Sequence, residues 1–204
     1  MKKQLKKLAM LTLAISLLGT ACGTTTDTEE TAASARVFDE SIPLADTEFW
    51  QPNFDIVENA DFADLIVIGS VINYREAVEE QRDTEDVDGG SIVVNDAVII
   101  KPTEILKGEE LLPGNSGRGN ITVTIGAVID DGDGERRVLL PAVETLRPGI
   151  ESRSGKPSER PQFVLFLQDD DSTGQRRFIM PAATSAMLLD DAPEIIDEVV
   201  AVLE

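Results

Sequence analysis

Asn120-Ile121-Thr122-Val123-Thr124-Ile125, running on to Ile129, is the clearest alternation in the chain. Side chains on a strand point to opposite faces with a period of two. Ile121, Val123 and Ile125 therefore face a core, while Thr122 and Thr124 face outward. The run stops at Asp130-Asp131-Gly132-Asp133-Gly134-Glu135, a composition that makes tight turns, and Val138-Leu139-Leu140 is placed to pair back across it.

The same reading extends in both directions. Upstream, Ile92–Ile100 is a strand that must bulge or lie at an edge near Pro102, which lacks an N–H for the ladder, and Lys107-Gly108 ends it. Before it, Leu65-Ile66-Val67-Ile68 is apolar on both parities and predicts a strand covered on both faces. Its continuation through Val71, Ile72 and Tyr74 is polar on one parity. Glu79–Gly90 between these two strands reads as a charged loop. Downstream, Phe163-Val164-Leu165-Phe166-Leu167 is a short central strand, apolar on both parities. The turn Asp169–Gly174 then leads to Phe178-Ile179-Met180 as a return strand.

Two segments break the β pattern. Val37–Phe62 is rich in Pro, Asp and Asn, with Phe49, Trp50, Phe54 and Phe62 as apolar anchors. It predicts a wrap around the domain edge with a short helix after Pro52. At the C-terminus, Ile195, Ile196, Val199, Val200, Val202 and Leu203 share one helical face, Asp197, Glu198 and Glu204 the other. Asp191 and Glu194 have capping-box spacing, so a closing amphipathic helix is expected over 192–203. The fold class is thus mainly β. Five to six strands plus a terminal helix suit a small OB-like β-barrel over residues 37–204, because closure removes exposed edges.

The N-terminus has a different design. Lys2, Lys3, Lys6 and Lys7 precede an apolar stretch, Leu8–Leu18, and then Gly19-Thr20-Ala21-Cys22. Basic, apolar and small-residue regions in that order make an export signal. The apolar run is shorter than the ~20 residues of a spanning helix. The stretch resembles the bacterial lipobox, which implies cleavage after residue 21 and acylation of Cys22. Residues 1–21 are then a lipoprotein signal peptide. Residues 22–36, with no large apolar side chain from Gly23 onward, form a flexible, disordered tether reaching roughly 20 Å. The address implied is the cell membrane, lipid-anchored and facing away from the cytoplasm, or the outer membrane in a host that has one. Gly23 beside the cysteine is not an Asp-type retention signal for the inner membrane.

Composition excludes several classes of function. The chain has 18 basic and 38 acidic residues. Loss of residues 1–21 removes four lysines and no acid, leaving 14 against 38 and a net charge of −24. Nucleic acid is excluded as a partner, because phosphate neutralisation needs basic patches. Anionic lipid surfaces are disfavoured by the same repulsion. The absence of histidine removes Ser-His-Asp and Cys-His catalysis and His-containing zinc sites. Cys22 is the single cysteine, so an acylated chain holds no disulfide.

Four pieces taken in order resemble a recurring small secreted bacterial domain: Ala63-Asp64-Leu65-Ile66-Val67-Ile68-Gly69, Glu104-Ile105-Leu106-Lys107-Gly108, Asn120-Ile121-Thr122-Val123, and Leu146-Arg147-Pro148-Gly149 before Phe163–Leu167. The layout, over residues 63–190, is similar to that of bacterial lipoproteins of an uncharacterised family and, more distantly, of netrin-like domains. The latter implies an OB-type barrel, with these motifs at strand ends and turns. Netrin-like metalloproteinase inhibitors chelate zinc through a free N-terminal cysteine, a device that acylation of Cys22 removes. Ile150–Arg160 lengthens the loop after Pro148-Gly149, as a mobile flap or as a plain insertion.

Chemistry-bearing clusters are few. Asp130, Asp131, Asp133 and Glu135 offer oxygen ligands for Ca²⁺, but the sixth position counted from Asp131 is Arg136, where an EF-hand needs Gly. Asp169–Asp171 is a second acidic turn. Gly114–Asn120 lacks the Lys-Ser/Thr of a phosphate loop. Aromatic residues are 4% of the chain, too few for a sugar-binding platform. No catalytic residue, metal site or cofactor is therefore assigned, and Cys22 is the one site residue, for lipidation. The expectation is a non-enzymatic, lipid-anchored binding or interaction module with an envelope protein or peptide as partner. The alternatives are a Ca²⁺-dependent structural or adhesive lipoprotein and, behind it, a carboxylate-based hydrolase.

Overall fold

The computed structural model describes residues 36–45, 52–76, 79–81, 92–112, 119–130, 132–140, 142–170, 177–191 and 194–204. Cys22, the signal segment and all of the tether before Arg36 lie outside them, as do Phe49 and Trp50.

Eight strands form one sheet: β1 (Leu65–Arg75), β2 (Glu79–Gln81), β3 (Ile92–Lys107), β4 (Ile121–Asp130), β5 (Glu135–Leu139), β6 (Phe163–Asp170), β7 (Arg177–Ile179) and β8 (Ala186–Leu188). Five of them close an OB-like barrel in the order β3-β1-β6-β7-β4, with β4 returning to β3. All contacts in the ring are antiparallel except β4 with β7, which run parallel and meet at Val123 and Phe178. The short strands β2, β5 and β8 extend the sheet on β3, β4 and β6.

Closure of so small a ring demands coiled strands. Straight, the 16 residues of β3 would span about 53 Å. Register shifts between β1 and β3 fall at Ile66/Val67, Ile68/Gly69 and Val71/Asn73. The middle one skips Thr103, beside Pro102, as expected from the missing proline donor. A further shift in β4 leaves Ile125 as the extra residue opposite Asp96 and Ala97.

Alternation sorts the apolar residues into two clusters. Leu65, Val67, Val98, Ile100, Ile121, Val123, Ile125, Phe163, Leu165 and Leu167 fill the barrel. Their neighbours Ile66, Ile68, Val164 and Phe166 face outward and are buried beneath two helices, α1 (Ile56–Phe62) and α3 (Ile195–Leu203). Both strands read as covered on both faces are therefore so covered.

Helix α1 starts at a capping box. The Glu58 N–H donates to Asp55 Oδ1 at 2.9 Å, and the Asp55 N–H donates to Glu58 Oε2 at 3.0 Å. At its other end the Lys107 ammonium donates to the Ala60 carbonyl at 2.8 Å, where a cation suits the helix dipole. Helix α3 differs from expectation at its start. Glu194 is the N-cap and makes no side-chain cap bond, and the helix begins at Ile195 rather than at residue 192. Its Ile195, Ile196, Val199 and Val202 face the barrel, whereas Val200 and Leu203 are exposed.

A third helix, α2 (Val143–Glu151), corrects the reading of Leu146-Arg147-Pro148-Gly149 as a turn. Val143, Leu146 and Ile150 project into the barrel core. A Cβ on Gly149 would sit 2.7 Å from the Phe163 ring and 3.0 Å from Val71, so the missing side chain permits this close seat. Pro148 lies in the sixth position, where the N–H it lacks would otherwise bond the Glu144 carbonyl. The segment read as a flap or insertion, residues 150–160, completes α2 and turns back on itself. The Ser152 hydroxyl donates to the Pro148 carbonyl at 2.7 Å, and Arg153 Nη1 donates to the Ile150 carbonyl at 2.6 Å. The charged loop expected from Glu79 opens with the short strand β2; residues 82–91 lie outside the described residues.

Residues 37–45 form a strap. Val37 is fully buried in the barrel core, and Arg137 on β5 donates to the carbonyls of Ile42 (2.7 Å) and Val37 (3.4 Å). Arg147 stacks over the Phe38 ring at 4.3 Å and pairs through two nitrogens with Glu144. Among the described residues, no helix is long and apolar enough to cross a membrane.

Candidate functional site: an uncharged groove on the barrel wall

Among the described residues, no helix covers the outer wall formed by β4, β5 and β7. Here β4 carries a row of small residues, Thr124, Gly126 and Ala127, between bulkier neighbours on β5 and β7. Gly126 is required by the packing: a Cβ there would lie 2.5 Å from the Val138 carbonyl oxygen, so only glycine lets β5 approach. The result is an open cavity of about 580 Å³, within the usual range of small-ligand sites.

Its floor is Thr124, Gly126 and Ala127 with Val138 of β5, Leu140 beyond it, Asn95 of β3, Gln168 of β6 and Ile179 of β7. One wall is Pro52, Phe54 and Phe62; the other is Met180 and Pro181. No lining side chain is charged. Thr124 and Gln168 are half-buried, and their side chains make no hydrogen bond among the described residues. With Asn95, they are the polar side chains of an otherwise apolar lining.

Both walls are held by one buried asparagine. Asn59 on α1 is fully buried. Its Nδ2 donates to the carbonyls of Phe54 and Asp55 and to Thr184 Oγ1, at 3.2, 3.0 and 3.0 Å. Its Oδ1 accepts from the Ser185 hydroxyl at 3.2 Å, and Ser185 Oγ accepts from the Ala182 N–H at 2.9 Å. The Thr184 hydroxyl donates to the Phe54 carbonyl at 2.6 Å, and the Ala183 N–H donates to the Pro52 carbonyl at 3.0 Å. Four of these bonds (Asn59 to Thr184, Ser185 to Asn59, Thr184 to Phe54 and Ala183 to Pro52) tie the α1 segment to the turn after β7, which sets the width between the walls.

Phe54 and Phe62, two of the apolar anchors of the edge-wrapping segment, are not seated in either core cluster. They stack on each other instead, centroids 4.8 Å apart, and Phe62 is 56% exposed, so its ring is groove wall. The acidic turns are spread out. Asp130 Oδ1 accepts from the Gly132 N–H at 2.9 Å, which serves the turn, and Asp131 lies outside the described residues. The Asp169 N–H donates to Asp64 Oδ2 at 3.0 Å, and Asp171 also lies outside. Among the described residues, no three Asp, Glu, Cys or His side chains stand close enough to hold a metal ion.

A second polar cluster escaped sequence reasoning. Asp96, adjacent to Asn95 but fully buried, accepts from the Tyr74 hydroxyl at 2.7 Å, and the Arg153 guanidinium lies 5.8 Å from the Tyr74 ring centre. Tyr74 packs against the core that fills the barrel, whereas Asn95 lines the groove. Among the described residues, two groups have displaced pKa values, and neither lines the groove. The Ser41 hydroxyl and N–H hold Asp39 below the usual carboxylate value, and the Glu144 hydrogen bonds raise Arg147. Compared with protein-family models, curated proteins and solved structures, the chain matches none of them.

Proposed function

We propose that this chain is a lipid-anchored binding module, displayed outside the cytoplasm, that holds an apolar part of an envelope protein or peptide and performs no catalysis. The observation that carries the reading is the groove: uncharged, about 580 Å³, and walled by rings and prolines that a buried hydrogen-bond network fixes in place. Burial of one large apolar side chain there contributes roughly 1.5–3 kcal/mol, and Thr124 and Gln168 are positioned to orient what enters. Support for the anchor is the order of basic, apolar and small residues ending in Cys22.

The test of the groove is fluorescence titration with Nile red, an apolar probe. Wild-type protein is expected to shift the emission to the blue. Thr124→Trp, which places an indole on the floor, is expected to abolish the shift while the protein keeps its thermal transition. An unshifted emission with wild type, or an equal shift with Thr124→Trp, overturns the reading. The anchor is tested separately by metabolic labelling with palmitate, expected to be lost in Cys22→Ser.

A further inference from the structure

The lining is neutral, but its frame is acidic. Asp55, Glu58 and Asp61, all exposed, stand on the segment between the two stacked rings Phe54 and Phe62. On β6, Asp169 and Asp170 directly follow Gln168. The basic residues nearest along the chain to the lining are already engaged. Arg137, beside Val138, is held by two strap carbonyls, and Arg177, two before Ile179, lies cross-strand from Asp170. Asp55 and Glu58 accept hydrogen bonds from backbone N–H groups, and among the described residues no cation pairs with either. The chain as a whole carries −20.

A neutral apolar floor inside an acidic frame selects for ligands that are apolar at the centre and positive around it. An anionic lipid fits the floor and is repelled by the frame. We infer that the groove takes a cationic peptide segment: one or two large apolar side chains seated among Phe54, Phe62, Ile179 and Met180, flanked by Lys or Arg facing the acidic α1 segment. This rests on the groove being a ligand site. At ~0.1 M salt the screening length is ~10 Å, so the frame acts on charges at the rim and little beyond.

The experiment uses the full chain in detergent and two labelled peptides, KKLWKK and its neutral counterpart QQLWQQ, read by fluorescence anisotropy. The cationic peptide is expected to bind about tenfold more tightly at about 20 mM salt and to lose that advantage at about 300 mM. Glu58→Gln with Asp61→Asn is expected to reduce the advantage severalfold and leave Nile red binding unchanged. Thr124→Trp is expected to abolish binding of both peptides. Equal affinity for the two peptides overturns the inference, and so does cationic binding that survives Thr124→Trp, since the peptide then sits on acidic surface elsewhere. In both cases an intact Nile red response leaves the groove itself standing; its loss marks failure of the underlying reading instead.

Discussion

The barrel wall has two apolar outer faces that are finished in different ways. On β1 and β6, Ile66, Ile68, Val164 and Phe166 are sealed under α1 and α3 and are at most 3% exposed. On β4, β5 and β7 the equivalent surface is Thr124, Gly126, Ala127, Val138 and Ile179, and among the described residues no helix crosses it. The covered face uses large branched and aromatic residues that interlock with helix side chains; the open one uses small residues that leave room. Helix α1 belongs to both. Ile56, Ala60 and Ala63 at its cap pack into the covered cluster, while Phe62 walls the groove. Apolar surface that the chain covers itself serves stability. Apolar surface held open by a fixed polar network is available for a ligand.

If that contrast holds, the largest effect belongs to the covered face. Phe166→Ala should cost about 3–5 kcal/mol in urea unfolding, the range for emptying a buried phenylalanine site. It should also raise amide exchange at Val199, the fully buried residue of α3. Nile red binding by the folded protein should be unchanged. A loss below about 1 kcal/mol would break the comparison, because α3 would then not be seated on that face.

Asn59→Ala acts on both faces and comes next. Thr184, Ser185 and the Phe54 carbonyl lose a buried partner, and a buried polar group left unsatisfied costs about 1–3 kcal/mol. Unlike Phe166→Ala, it should also weaken Nile red binding, because the two walls are no longer tied. Equal weakening by both variants would mean that the groove merely reports global stability. Asp55→Ala removes only the cap of α1 and should cost about 1 kcal/mol in thermal unfolding. Asp55→Asn, a good N-cap, should restore most of it. The contrast between these two variants isolates the cap from the charge.

These features were unequally legible in the sequence. Period-two patterning identified β4, while apolar residues on both parities identified β6 and the first half of β1 and announced the covered face before any helix was placed. The barrel's fifth strand, β7, was readable from Phe178 to Met180. Helix α2 was hidden because Pro148-Gly149 looks like a turn, although Val143, Leu146 and Ile150 keep helical spacing. Tertiary burial of that stripe outweighs the local cost of the proline. Asp55 and Glu58 make the box that starts α1, whereas α3 starts at Ile195 with Glu194 as its N-cap, three residues later than the spacing of Asp191 and Glu194 implied. The groove had no linear signature. Its lining comes from five strands, helix α1 and three connecting segments, and the need for glycine at 126 depends on a carbonyl twelve residues away in sequence. The strand pattern showed which face Thr124 takes, but not that its neighbours would be too small to fill the space.

The smallest expected change in stability is the most informative about the open face. Phe62→Gln removes a ring that is 56% exposed and stacked on Phe54, so it should cost only about 0.5 kcal/mol, the low end for an aromatic pair. The same ring forms one wall of the groove. If burying a ligand against it contributes about 1.4 kcal/mol, its removal lowers affinity about tenfold. Nile red or KKLWKK titration of Phe62→Gln beside its melting curve therefore reads two quantities that should separate: near wild-type melting with weakened binding. On the covered face they separate the other way, with lost stability and unchanged binding. A Phe62→Gln protein that melts several degrees lower while binding normally would assign that ring to the fold and remove the distinction between the two faces.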